Sequence, residues 1–341
     1  MAIVHGQSFT SARLSSERIV PIDRIHKHLG EKQVRVFVTG GTGFIGSAVV
    51  RELLDAGHQV VGLARSEKAV KDLVAAGAEV HRGSLEDLES LRSGATAADG
   101  VIHTAFIHDF SNYGPAAETD RRAIETLGDA LAGSDRPLIV TSGTLNPRTQ
   151  GRLATEKDAP SPDFPRKSEE AGLSLLARGV HVAVLRLPPS VHGEGDHGFV
   201  PALISIAREK GVSAYIQDGL NRWPAVHRLD TAHLYRLALE KRSTQGRYHG
   251  VADEGVRARD IAEVIGRHLN VPVVSKSREQ AADHFGWIAP FFAMDGPASS
   301  TLTQQRLGWQ PVQPGLISDL DAGHYFEPVL SHRLSPSQPV R

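Results

Sequence analysis

The stretch VRVFVTGGTGFIGSAVVRELLDAG, residues 34–57, decides how this chain folds. VRVFVT, 34–39, is rich in β-branched residues and reads as a buried strand. TGGTGFIG, 39–46, places Gly40, Gly43 and Gly46 three residues apart. Beyond it, Ile45, Val49, Leu53 and Ala56 fall on one face of a helix that Gly57 closes. Strand, glycine turn and helix in that order suit a phosphate. Glycines let the backbone turn sharply and approach a pyrophosphate, and the helix N-terminus offers free N–H groups at the positive end of its dipole. A bare glycine triplet is often only a tight turn, but the flanking strand and helix argue against that here.

The rhythm continues outward. QVVGLAR (59–65), AEVHRG (78–83), GVIHTAF (100–106), RPLIVTSG (136–143) and VHVAVLRL (180–187) read as further strands. Helical segments separate them: SEKAVKDLVAAG with Ser66 as N-cap, LEDLESLRSG, the segment from Glu118 to Leu131, and RKSEEAGLSLLARG. Such alternation demands parallel strands with right-handed crossovers. The expected fold class is α/β, a Rossmann-type doubly wound parallel sheet with a smaller C-terminal substrate-binding lobe. Residues 34–190, together with 225–250, are expected in the dinucleotide-binding domain, and 191–325 mainly in the lobe. Residues 1–33 read as a poorly ordered extension and 326–341 as a disordered, Pro-rich tail.

The 341 residues carry a formal net charge of −1 and contain no cysteine. Near-neutral charge predicts no nucleic-acid or membrane-surface partner. The lack of cysteine excludes disulfides and thiolate chemistry. No apolar run reaches the ~18 residues of a membrane span, and a cytoplasmic location is expected. The HKH at 26–28 reads as part of the tail, and no metal site is expected.

The end of the second strand bears on which dinucleotide fits. An acidic residue there would bind the ribose 2′-hydroxyl of NAD. LARSEK places Arg65 and Ser66 there, with Lys68 close by. A guanidinium pairs with a 2′-phosphate in bidentate fashion, which favours NADP and leaves NAD open.

TGGTGFIG with this glycine spacing resembles the extended short-chain dehydrogenase/reductases, the NAD-dependent epimerase/dehydratase family. LIVTSGT, LRLPPSVHGEG, PAVHRLDTAHL and LGWQP are similar to further segments of that family, so the likeness spans roughly residues 34–325. The resemblance implies that Thr42, Gly43, Phe44 and Ile45 hold the pyrophosphate. It places Ser84 and Leu85 beside the adenine, where the family usually has Asp in place of Ser84. It brings Thr104 and Ala105 near the nicotinamide ribose, and it puts Ser142 or Thr144 in the catalytic serine/threonine role. A small-molecule substrate is implied, and a homodimer is the family-level expectation.

The same resemblance exposes a gap. The family's acid/base is a Tyr with a Lys four residues on, the Lys lowering the tyrosine pKa. In PSPDFPRKSEEAG, 160–172, anchoring on Glu170 sets Pro162 in the Tyr position and Arg166 in the Lys position, and a further shift pairs Phe164 with Ser168. No register restores Tyr-x-x-x-Lys. Arg166 is either a ribose ligand or a helix-surface arginine. Other proton donors are Ser142, Thr144, Tyr113, His108 and His192. Phe199, Trp223, His227 and Arg228 are candidate pocket residues. Three functions are compatible with this pattern: an oxidoreductase with a non-standard proton donor, a sugar-nucleotide epimerase or dehydratase, and a non-catalytic NADP(H) sensor.

Overall fold

The computed structural model of the chain describes residues 33–108, 113–146, 149, 151–162, 164, 166–242 and 246–327. The expectations for the N-terminal extension up to residue 32, including HKH, and for the tail from residue 328 lie outside the described residues.

Each strand of the opening stretch and its successors joins one sheet. The strands are β1 (Arg35–Thr39), β2 (Gln59–Ala64), β3 (Glu79–Arg82), β4 (Gly100–His103), β5 (Pro137–Gly143) and β6 (His181–Leu187). With β10 (Gly246–His249) they form a seven-stranded sheet in the order β10-β6-β5-β4-β1-β2-β3. Every neighbouring pair is parallel. The period-2 alternation of a strand fixes which side chain faces which layer. Val36 and Val38 face a core shared with Val49, Leu53 and Tyr235. Phe37, between them, faces the opposite core, with Leu91, Ile124, Leu127 and Val182.

The helices supply both layers. They are α1 (Phe44–Asp55), α2 (Glu67–Ala76), α3 (Leu88–Thr96), α4 (Tyr113–Leu131) and α5 (Ser168–Ser174), the last continued by a 3-10 turn, Leu175–Arg178. Helix α4 begins at Tyr113, earlier than the apolar periodicity from Glu118 indicated, because its first turns are half-solvated and carry little pattern. Helix α5 begins at Ser168, so Arg166 precedes it rather than lying on its surface.

Past β6, the chain forms β7 (Ser190–His192), α6 (Phe199–Lys210), β8 (Ser213–Ile216), β9 (Arg222–His227) and α7 (Arg228–Glu240). After β10 come β11 (Asp253–Arg257), α8 (Ala258–Leu269), β12 (Val273–Lys276), α9 (Arg278–Phe285), α10 (Ala289–Phe292), α11 (Thr301–Leu307) and α12 (Leu316–Asp321). Two small sheets, β11-β9-β7 and β12-β8, accompany a third core built on Leu203, Ile204, Ile261, Phe285 and Phe292. Helix α7 instead packs on the large sheet, where Leu234 and Tyr235 join the first core. Among the described residues, no helix is long and apolar enough to cross a membrane.

The segment after β5 is a strap held at many points. Ala154 bridges to Ala298. Thr303 donates from its backbone N–H and its hydroxyl to Glu156 Oε1, at 2.8 and 2.7 Å. Arg186 Nη2 donates to the Asp158 carbonyl at 2.7 Å. These bonds fasten the strap to the sheet and to the segment before α11.

The LGWQP segment closes the other side. Trp309 is fully buried, and its indole N–H donates to the Asp230 carbonyl at 3.0 Å. The Asp230 carboxylate accepts from the N–H groups of Val312 and Gln313, both at 3.0 Å. Truncating so large a buried aromatic leaves a cavity and removes the indole bond to the Asp230 carbonyl. Trp309→Ala is expected to lose about 3–5 kcal/mol in urea unfolding, and Trp309→Phe clearly less.

Candidate active site

The glycine turn shapes the floor of the site. Gly40 has φ +74°, a left-handed conformation that disfavours side chains. A Cβ on Gly46 would sit 2.0 Å from the Gly40 carbonyl oxygen and 2.9 Å from Thr104 Oγ1. Helix α1 therefore lies directly on the turn. Thr104 secures it, donating from its hydroxyl to the Thr39 carbonyl at 2.7 Å.

The end of α1 is built differently from its neighbours. Helix α2 is capped by the Ser66 hydroxyl, which accepts from Ala69 N–H, and α3 by the Asp87 carboxylate, which accepts from Ser90 N–H. Both also carry a glutamate in the first turn. Helix α1 has Gly43 as N-cap, no side-chain cap and no acidic residue in its first turn. Its N–H groups and positive dipole end are left for an anion. The residues present thus fit the pyrophosphate of a dinucleotide.

This turn opens on a cleft of about 1410 Å³ along the C-terminal ends of the strands. The cleft is larger than the ~300–1,000 Å³ of an ordinary small-molecule pocket. Most of the site residues expected from the sequence border it, whereas His192, Trp223, His227 and Arg228 do not. Gly40, Thr42, Gly43, Phe44, Ile45 and Gly46 form the floor. Arg65, Ser66, Ser84 and Leu85 stand at the β2–β3 end, and Thr104 and Ala105 lie beyond β4. Tyr113, Ser142, Thr144 and Arg166 line it as well.

The roles of these side chains differ. Arg65 is exposed and has no hydrogen bond or ion pair among the described residues. Ser66 is committed to capping α2. The Ser84 hydroxyl accepts from Glu86 and Asp87 N–H, both at 3.3 Å, so it holds the turn before α3. Thr144 is 3% exposed and its hydroxyl has no partner among the described residues. Ser142, two residues earlier along the same edge, likewise makes no hydrogen bond among them.

Arg166 is not a plain surface arginine. Its side chain is 16% exposed, and its guanidinium lies 4.1 Å over the Phe106 ring. Nε donates to Ser168 Oγ at 2.6 Å and Nη2 to the Thr141 carbonyl at 3.2 Å. Ser168 in turn donates to the Asp120 carboxylate, whose other oxygen meets His103 Nε2 at 3.0 Å. His103 Nδ1 reaches Thr39 Oγ1 at 2.8 Å. Burial would push the Asp120 carboxyl up, but the His103 contact, the Arg166 charge and Ser168 together hold it below its ordinary value. Burial raises the Tyr113 phenol, with Arg166 opposing. Burial, and then Arg166, lowers His108.

Other candidates separate. Phe199 lines the cleft, whereas Trp223 is core, donating to the Phe291 carbonyl at 3.2 Å. His192 is buried away from the cleft lining, with Nδ1 at 2.8 Å from Asp319. His227 caps α7, and Arg228 reaches the Glu194 carbonyl at 2.7 Å. Pro162 does not line the cleft, whereas Phe164 does.

The model of the NAD dependent epimerase/dehydratase family matches residues 36–144. A protein of Schizosaccharomyces pombe, described as uncharacterized, is 52% identical over 295 residues, covering 86% of this chain and 100% of its own length. Residues 36–144 are thus a domain of the NAD-dependent epimerase/dehydratase family. A 4-hydroxy-2-methyl-3-oxo-4-farnesyl-3,4-dihydroquinoline-1-oxide ketoreductase of Stigmatella aurantiaca is 31% identical over 189 residues, covering 52% of this chain and 56% of that protein. The Thermus thermophilus UDP-glucose 4-epimerase, solved with NAD, superposes with a TM-score of 0.66 at 22% identity, over 85% of this chain and 98% of that one. Its likeness is one of fold.

Several polar groups beside the cleft had no signal in the sequence. Asp120, His103 and Ser168 lie on three different elements, and nothing in their spacing joins them. The same holds for Glu169, which accepts from Arg186 Nε and Nη2 at 2.7 and 2.6 Å, while Arg186 Nη1 lies 3.2 Å from His249 Nε2. Burial, reinforced by the Arg186 charge, pushes His249 from the ordinary imidazole value near 6.5 down to about 4. In that window the unfolded chain binds a proton that the folded chain excludes, so stability is lost as pH falls. The urea midpoint should drop between pH 6.5 and 4, and His249→Gln should flatten that slope.

Proposed function

We propose that this protein is an NADP(H)-dependent reductase acting on a carbonyl or alcohol. One observation carries the reading: the uncapped, acid-free N-terminus of α1 borders the same cleft as Ser142 and Thr144, whose hydroxyls have no partner among the described residues. The spacing of strands supports it. Arg65 follows β2 and Ser142 ends β5, three strand spacings apart, or about 15 Å, with the glycine turn between them. Arg65 supports NADP over NAD, since an exposed and unpaired guanidinium suits a 2′-phosphate.

Bound in this cleft, the nicotinamide supplies the hydride exchanged with a carbonyl carbon. The Thr144 and Ser142 hydroxyls donate hydrogen bonds to the carbonyl oxygen as negative charge builds there. Arg166, fixed by Ser168 and Thr141, offers its remaining N–H groups to ribose hydroxyls and its charge to the developing oxyanion. The Tyr113 phenol stays protonated at neutral pH and is the proton donor of this scheme. A sugar-nucleotide epimerase is less well supported, because its chemistry leans on a tyrosine paired with a lysine.

NADPH is expected to raise the melting temperature more than NADH does, and Arg65→Ala should erase the difference. Equal shifts in the native protein would remove the case for NADP. Thr144→Ala should lower kcat by about 100-fold or more, the scale of losing one oxyanion donor, with NADPH affinity unchanged. NADPH binding without turnover across a carbonyl panel would favour a sensor over a reductase.

A further inference from the structure

The far end of the cleft has a composition of its own. Phe199, at the start of α6, stacks against Phe291 with ring centroids 5.6 Å apart and an interplanar angle of 27°. It also packs on Trp287 at 5.6 Å. All three border the cleft, together with Pro188, Pro189 and Pro201. Trp287 is 48% exposed. So large an aromatic, left half in solvent at the rim of a cleft, is suited to covering a ring.

The charges there argue in the same direction. Among the described residues of the C-terminal lobe that line the cleft, Asp196 is the one carboxylate, His197 the one imidazole, and there is no lysine or arginine. The N-terminus of α6, the other helix end on this side, has no side-chain cap on its first turn, but a carboxylate stands just before it. Asp196 Oδ1 takes the Gly198 N–H at 2.7 Å, and Oδ2 takes the Tyr325 hydroxyl at 3.2 Å. Of the cations that border the rest of the cleft, Arg186 is held by Glu169, Lys68 by Asp72 and Arg166 over Phe106, while Arg65 stands at the opposite, β2–β3 end. A nucleotide diphosphate laid against this wall would meet a carboxylate and find no clamp.

The geometry points to an uncharged, aryl-bearing carbonyl compound as the substrate, its ring laid on the wall of Phe199, Trp287 and Phe291. This inference rests on the reductase reading and deepens it. The ring contributes binding at the apolar end while the carbonyl reaches Ser142 and Thr144. The wall acts on substrate affinity and leaves the nucleotide end untouched.

Calorimetry on the full chain saturated with NADP+ tests this, because the oxidised cofactor and a ketone form a complex that cannot react. The probes are 4-phenyl-2-butanone and UDP-glucose. The ketone is expected to bind and UDP-glucose not to. Trp287→Ala should weaken the ketone about 3- to 10-fold, the scale of one aromatic contact, with NADP+ affinity unchanged, and Trp287→Phe should restore most of it. UDP-glucose binding in preference to the ketone overturns the inference, as does a Trp287→Ala protein that binds the ketone like the native one. NADP+ binding without ketone binding overturns this inference alone. Absence of NADP+ binding overturns the reductase reading and this inference with it.

Discussion

At Gly46 there is no room for a side chain: an added Cβ would meet the Gly40 carbonyl oxygen at 2.0 Å. That contact sets the first turn of α1 on the loop leaving β1, and Thr104, from the end of β4, locks the pair from behind. Three neighbouring elements are thereby brought to one point. The consequence is electrostatic as well as steric. The N-cap of this helix end is Gly43, which offers no capping side chain, so the first-turn N–H groups are left for the cleft. The neighbouring helices α2 and α3 end in capped, acid-bearing turns, and α1 alone of the three keeps the field of its dipole for a ligand.

A second constraint stands at the entry to α5. A chain of hydrogen bonds runs from Thr39 through His103, Asp120 and Ser168 to Arg166. Asp120 is buried, and a buried carboxylate is tolerated only when its oxygens are bonded and its charge is met. His103 and Ser168 supply the bonds and Arg166 the charge. The arginine is thereby held over Phe106 instead of ranging through solvent, which turns a flexible side chain into a fixed part of the cleft wall.

The cleft is therefore asymmetric. One end carries an exposed arginine beside the first βαβ turn, the middle carries bare helix N–H groups, and the other end carries stacked aromatic rings and prolines. An anionic ligand is drawn to one half and an apolar one to the other, which is the order in which a nucleotide and a small carbonyl would have to lie for hydride to pass between them.

The sequence by itself determined the doubly wound sheet, because strand, glycine turn and helix are local patterns whose periods differ and whose order leaves one topology. It also named the residues along the cleft, since the C-terminal ends of parallel strands all open on one edge. Arg65 and the glycine spacing were legible for the same reason: their meaning depends only on the turn in which they sit. Whether Arg166 was a surface residue or a cleft residue was not legible, and neither were Asp120, the Glu169–Arg186 pair or the aromatic wall. Each of these depends on side chains from elements far apart in the chain, and only packing brings them within hydrogen-bonding or stacking distance. The tertiary structure decided which polar groups are left unpartnered, and in a buried cleft those are the groups that remain available for chemistry.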